Sequence, residues 1–414
     1  MITYQDALSL ILEHAQGTES HLVPLSKCEG AICAQEIRAS LNIQPFDNSA
    51  MDGYAVRSED LASASQDFPI NLDIIGRLAA GPLKKDIFLQ PGQCIEIMTG
   101  APIPSGCDAV VPVENLSILG SKALFNNPAY VGGHIRRAGE DFKIGEKVIS
   151  PGTRLDARDI LVLATLGISH VQVRIKPKIG FVSTGNELVE GSWPDRKLAP
   201  GEIYNSTGTY MDHELRSLGA SCHSYGTIGD NPNEFLQILE KMKHDNCSIM
   251  ISTGAVSIGR HDFVRKALEM AGAEILYHKI SIRPGKPSLF ARFPDNRLFF
   301  GLPGNPVATV CGLRFLISPL IRVMTGRALE RPIAAIANNS FTKTKGFRFF
   351  LKAKLILSEE HKLCAHILDG QQSFMVSPFL QANAWAMLPE NINEIKKGDS
   401  IDCFSIDPTG LCLG

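Results

Sequence analysis

Long uninterrupted apolar runs are missing from this chain. The best stretch, residues 310–321, is broken by Arg314 and Pro319, so a helix of about 18 apolar residues able to span a bilayer is not expected. Metal-type cysteine spacing is missing too. None of the 10 cysteines forms a Cys-x-x-Cys pair, Cys28 and Cys33 being the closest, and the 11 histidines show no His-x-x-x-His. That pattern argues against a zinc site and against a disulfide framework. A basic excess is likewise absent: 41 Lys+Arg stand against 43 Asp+Glu, a formal charge of -2. No bulk electrostatic footprint for nucleic acid or an anionic membrane exists. Residues 1–6 carry no basic region ahead of an apolar run, so no secretory signal is read. The expectation is a soluble, cytoplasmic protein. What is present is ordinary for packed chains, 44% hydrophobic and 20% charged over 414 residues. At about 150 residues per domain, two to four domains are expected, and disorder, collagen and coiled coil are excluded.

The texture changes along the chain. Thr3 can cap a helix in which Ala7, Leu8, Ile11 and Leu12 recur at helical spacing up to about Gly17. From Cys28 to about Gly152, short β-type runs (71–75, 94–98, 109–113, 147–149) alternate with turns such as Gly81-Pro82 and Pro91-Gly92. A helix is predicted over 156–166. Beyond Pro177, strands (178–183, 223–228, 248–252, 297–301) alternate with helices (205–218, one from Pro232 with Phe235, Ile238, Leu239 and Met242 on one face, 262–270, 306–324), which predicts a parallel α/β sheet covered on both faces. After about Gly326 strands return at 348–357, 363–367, 384–388 and 400–406, as a small β-barrel or sandwich of about 85 residues.

In an open α/β sheet, ligands bind beyond the carboxyl ends of the strands. Three such ends carry related turns: Ser183-Thr184-Gly185-Asn186-Glu187, Ser252-Thr253-Gly254-Ala255 and Gly301-Leu302-Pro303-Gly304-Asn305-Pro306. Backbone N–H groups and hydroxyls at helix starts suit a phosphate. One such turn is as readily a plain tight turn; three on one sheet point to a phosphate-bearing ligand. No Walker loop and no strand-fed Gly-x-Gly-x-x-Gly is present. Glu187, Asp230 and Asp262 fall at the same ends, where acidic groups beside phosphate call for Mg²⁺, although Asp230 and Asp262 also suit helix caps. Lys279, Arg283 and Lys286, the last two in Arg-Pro-Gly-Lys-Pro, form a basic element suited to a compact oxyanion. The residues thus describe a Mg²⁺-dependent enzyme for a phosphorylated or nucleotide-like ligand, with room for a second oxyanion.

One segment goes further. Asp47-Asn-Ser-Ala-Met-Asp-Gly-Tyr-Ala55 resembles the signature of the molybdopterin molybdenumtransferase family, to which the carboxy-terminal domain of gephyrin belongs. The likeness continues in order through residues 97–102, 136–141, 183–188, 256–259, 284–287 and 302–307. It implies an α/β multidomain protein: a central parallel α/β molybdopterin-binding domain (177–328), β-rich N-terminal domains and a C-terminal β-barrel (329–414). The N-terminal part divides into a linking and dimerisation domain (1–46 with 135–176) and a small β-rich domain (47–134). It also implies a homodimer whose clefts draw on both subunits, and leaves room for transient contact with the molybdopterin adenylyltransferase and acceptor molybdoenzymes. The implied reaction takes adenylylated molybdopterin and molybdate, releases AMP with Mg²⁺ assisting, and yields molybdenum cofactor.

Carried over residue by residue, the resemblance puts Asp52, Thr99, Asp141, Glu187, Asp230 and Asp262 in the catalytic cleft, with Glu187, Asp230 and Asp262 as metal ligands. Ser183, Thr184, Gly185, Ser252, Thr253, Gly254, Pro303, Gly304, Asn305 and Pro306 match the pterin and phosphate cradle. Lys279, Arg283, Lys286, Arg348 and Ser373 match anion contacts, the last four in this chain being the molybdate candidates. Three positions depart from the family pattern: Ala255 for a Gly, Ala308 for a Ser and Gln372 for a Gly. The first matters if that backbone needs positive φ. Two other readings remain: a non-catalytic molybdopterin-binding scaffold, and a molybdopterin adenylyltransferase, which the first 170 residues oppose. The intact carboxylate set favours an active enzyme. Molybdate and tungstate, both tetrahedral dianions, are not separated by any residue type here.

Overall fold

The computed structural model describes residues 1–82, 86–191, 194–256 and 263–407. Its centre is a six-stranded sheet in the order Ser221–Ile228, Lys178–Thr184, Ile249–Thr253, Leu298–Leu302, Leu289–Arg292, Glu274–His278. Ile249–Thr253 and Leu298–Leu302 are buried throughout, as strands covered on both faces must be. The first four strands run parallel, but Leu289–Arg292 runs antiparallel to both of its neighbours, so the sheet is mixed. The all-parallel expectation fails at this edge for a simple reason. Arg292 pairs with Leu298 across a turn in which Asn296 takes φ +66; a hairpin needs no crossover helix, so no strand–helix alternation announces it.

Each face has its own core. Helices Pro232–His244 and Phe263–Met270 cover one face through Phe235, Leu239, Val264 and Leu268. The first begins with Asn231 accepting from the Asn233 and Glu234 N–H groups and with Pro232 at its first position. Helices Ser206–Ser217 and Pro306–Met324 cover the other face, together with the N-terminal helix Tyr4–Glu13. That helix ends four residues before Gly17. It buries Tyr4, Ala7 and Ile11 in the α/β core, which departs from the expected grouping of residues 1–46 with 135–176. The chain after it does pair with the later segment: Ser20–Pro24 lies antiparallel to His170–Arg174, and Ile37–Arg38 to Lys147–Ile149. Residues 53–125 form a separate six-stranded sheet.

Strands Ile333–Ala337, Arg348–Leu357, Leu363–Ile367, Ala384–Leu388 and Ser400–Ser405 close on themselves as a five-stranded barrel. The short strand Ile282–Arg283 extends it by pairing with Arg348 and Phe349. The long helix Pro306–Met324 holds barrel and sheet together. Among the described residues it is the one helix long and apolar enough to cross a bilayer, yet 78% of it is packed inside the protein. At Leu313–Ile317 it makes a π-type turn, whose extra residue rotates the helix face by roughly 100°. Phe315 stacks on Phe350 of the barrel with centroids 3.8 Å apart and meets Trp385 edge-on at 5.8 Å. Arg314, 3% exposed, pairs with Glu330 at 2.6 Å and donates to the Ser405 carbonyl. Replacing Phe315 by Ala removes a buried aromatic from both cores and should cost about 3–5 kcal/mol. Urea unfolding measures it; a loss below about 1 kcal/mol would show that the stack does not hold the barrel.

Candidate active site

The three strand-end turns interlock. Thr184 Oγ1 donates to the Thr253 carbonyl at 3.0 Å, and the Gly254 N–H to the Leu302 carbonyl at 3.0 Å. Gly254 sits at φ +87, and a Cβ there would stand 2.3 Å from the Thr184 carbonyl oxygen. Only glycine fits this contact. The turns floor a cavity of about 650 Å³ lined by Thr184, Gly185, Thr253, Gly254, Gly304 and Asn305. Its acidic wall is Glu187 and Asp230. Asn186 positions the second, accepting from the Asp230 N–H (3.2 Å) and donating to its carboxylate (3.3 Å). Asp262 and residues 257–259 lie outside the described residues, and among the described residues no three His, Cys, Asp or Glu side chains gather as a metal cage. Two carboxylates facing a phosphate-sized cradle nevertheless fit Mg²⁺, which takes one or two carboxylates and completes its shell with water and substrate phosphate.

A second cavity, about 420 Å³, lies on the other side of the Pro303–Pro306 turn, and Asn305 lines both. It carries Arg283, Lys286 and Ser373. The Arg283 guanidinium stands 4.8 Å from the Phe347 ring centroid and the Lys286 ammonium 5.6 Å from it, so one aromatic face backs both cations. Of the other predicted residues, Pro303 lines this cavity and Pro306 the acidic one.

Several predicted contacts lie elsewhere. Arg348 lines neither cavity; it pairs with Glu390 at 3.0 Å and lies over the Tyr4 ring at 4.8 Å. Lys279 also lines neither. Ser183 is buried beneath the sheet end, donating to Asn205 Oδ1 at 3.1 Å, and Ser252 is fully buried. Side chains alternate along a strand, so Thr184 and Thr253 reach the cavity where Ser183 and Ser252 do not. Asp52, Thr99 and Asp141 stand apart from both cavities. The segments that carry them meet in one loop cluster, where Ser49 N–H donates to the Ala101 carbonyl and Ala50 N–H to the His134 carbonyl. There the Thr99 N–H (2.7 Å) and hydroxyl (2.8 Å) hold the Asp52 carboxyl below the usual carboxylate range.

Two features escaped the sequence reading. Asn205 caps helix Ser206–Ser217 and ties Ser183, Glu190 and Thr227 into one polar network. Lys352, fully buried in the barrel, donates to the Gly370 (2.6 Å) and Met375 (2.8 Å) carbonyls. Gln371 braces the same loop by pairing with the Lys352 backbone (3.0 and 2.9 Å). Lys352 therefore sets the loop that presents Ser373. A lysine directly after the apolar run Phe349-Phe350-Leu351 was the available signal. The departures also find their places: Ala255 adopts φ +48, a left-handed conformation, while Ala308 and Gln372 line the basic cavity.

A strand-end anion cradle with an acidic wall, faced by a basic cavity at a barrel junction, defines an α/β protein built for a phosphate-bearing ligand. Comparison narrows the class. Three family profiles match in order: MoeA N-terminal region (domain I and II) over residues 2–167, probable molybdopterin binding domain over 180–323, and MoeA C-terminal region (domain IV) over 334–405. The molybdopterin molybdenumtransferase of Synechococcus elongatus is 32% identical over 98% of this chain and 100% of its own. The Bacillus subtilis protein of that name is 32% identical over 98% and 94%. The molybdopterin biosynthesis MoeA protein of Pyrococcus horikoshii superposes with a TM-score of 0.84 at 29% identity, covering 98% and 99%. The chain belongs to the molybdopterin molybdenumtransferase family, transferases of molybdenum cofactor biosynthesis.

Two outcomes follow from the site. Ala255→Gly relieves a left-handed alanine and should raise stability by about 1 kcal/mol or less, since glycine's extra unfolded-state freedom offsets part of the gain; urea unfolding reads it. Burial pulls the Lys352 ammonium pKa from 10.5 to about 8. Between those values the unfolded chain binds more protons than the folded one, so stability rises with pH. The stability of the wild type relative to Lys352→Met should therefore grow from pH 8 to 10.5; a flat difference would show that Lys352 keeps an ordinary pKa.

Proposed function

We propose that this protein inserts molybdate into adenylylated molybdopterin, releasing AMP and leaving molybdenum on the dithiolene sulfurs. The observation that carries the reading is the pairing of an acidic phosphate cradle with a basic cavity across one turn, Pro303–Pro306. The Gly185, Gly254 and Gly304 turns offer their N–H groups to the phosphates. Glu187 and Asp230 would hold Mg²⁺, which when bound neutralises charge developing on the phosphoanhydride. Arg283, Lys286 and the Ser373 hydroxyl hold the tetrahedral dianion on the far side of Asn305. Attack of a water oxygen on the pterin-side phosphorus of the anhydride then expels AMP, and the two dithiolene thiols take up molybdenum as one molybdate oxygen leaves with their protons as water.

In this reading the protein works as a cytoplasmic homodimer. Asp52, Thr99 and Asp141 line neither cavity of their own chain, and we assign them to the cleft of a second copy. The Thr99 donors keep Asp52 ionised near neutral pH, as a metal- or water-orienting carboxylate must be.

Single-turnover AMP release from adenylylated molybdopterin, with molybdate and Mg²⁺ each present or withheld, tests the assignment. Release should need molybdate, and Glu187→Gln and Asp230→Asn should each slow it by about 10²-fold or more. Mixing Asp52→Asn with Glu187→Gln subunits should restore about a quarter to a half of wild-type activity if one cleft draws on two chains. Tight adenylate binding without AMP release would overturn the catalytic reading in favour of a cofactor-binding scaffold.

A further inference from the structure

A third cavity, of about 390 Å³, adjoins the acidic one, and Thr207 and Pro306 line both. Its character is different. Tyr210 and Val310 come from the two helices on this face of the sheet, and Phe379 and Trp385 from the barrel. The Phe379 and Trp385 rings meet edge to face, with centroids 5.6 Å apart at 69°. Among the described residues that line it, Arg314 is the one charged side chain. Arg314 reaches the lining, but Glu330 and the Ser405 carbonyl already engage its guanidinium. Burial keeps the Tyr210 hydroxyl protonated and Glu214 engages it, so the neutral polar groups left to a ligand here are Ser206 and Thr207.

Such a chamber repels a phosphate, which would lose its hydration without gaining a cation. It suits an uncharged flat ring, which aromatic edges and faces contact well and which a few hydroxyls can orient. Its place beside the cradle at Thr207 and Pro306 lets ring and phosphate be two ends of one ligand. We propose that this chamber binds the fused-ring heterocycle of the phosphate-bearing substrate while the Thr184, Gly254 and Gly304 turns hold the phosphate. The proposal rests on the function proposed above. It adds Tyr210, Val310 and Phe379 as the residues that select the ring. Adenine and pterin share the required chemistry, and the test separates them.

Calorimetric titration of the full chain with AMP, a simple 6-substituted pterin and pyrophosphate, each with Mg²⁺, provides the test. Val310→Phe fills the chamber and Phe379→Ala strips one wall, so a folding failure in one leaves the other. At least one ring ligand should bind about tenfold or more weakly to a folded variant, with pyrophosphate affinity unchanged. Loss for AMP places adenine there; loss for the pterin places the pterin. Wild-type affinity for both ring ligands in both variants would overturn the proposal, as would equal weakening of pyrophosphate. Because the readout is binding, it is independent of AMP release: a ring-selective loss in a protein that never releases AMP would retain the chamber and discard the catalytic reading.

Discussion

The stack of Phe315 on Phe350 is the contact on which the site depends. It couples the helix that begins at Pro306 to the barrel, and that helix starts where the third strand-end turn finishes. Phosphate cradle, basic cavity and aromatic chamber all touch the Pro303–Pro306 turn. A rotation of the barrel about the helix would move Ser373, Phe379 and Trp385 relative to Thr184 and Gly254. Burying Arg314 against Glu330 and the Ser405 carbonyl beside the stack makes such a rotation costly, since a buried guanidinium stripped of its partners is among the more expensive defects a core can carry.

Around that turn the charges are sorted. Carboxylates stand on one side of Asn305 and cations on the other, with neutral aromatic surface beyond Pro306. The substrate proposed above, with its ring, phosphate and oxyanion functions, would meet a matched environment for each. Opposite charges held apart by backbone do not neutralise one another, so both remain available to ligand. The basic side is built on the barrel as well as the sheet: strand Ile282–Arg283 pairs with Arg348–Leu357, and Lys352 and Gln371 hold the loop opposite.

The strand-end turns were legible because their chemistry is local: Ser-Thr-Gly and Gly-Leu-Pro-Gly-Asn-Pro announce tight backbone at strand ends whatever surrounds them. The antiparallel edge of the sheet was not, because Leu289–Arg292 is four residues long and its turn looks like any loop. Arg348 illustrates a different gap. A cation matched to an anion by the resemblance sits at the start of its strand, where it meets Glu390 and Tyr4, while Lys352, four residues further along the same face, reaches the loop of Ser373. Ser183 and Ser252, matched to the cradle by the resemblance, are buried by the pleat.

The sequence by itself determined the order of textures, the three glycine turns, the acidic and basic residue types and the family, since each is carried by local pattern or by an ordered run of motifs. Tertiary structure alone decided which of those residues share a cavity. It placed Thr184 against Thr253, drew Gly254 to within contact of Thr184, and set the barrel's aromatics beside the cradle. The reason is physical: pleat direction, sheet order and the rotation of one domain on another depend on contacts between residues far apart in the chain, and no local window contains them.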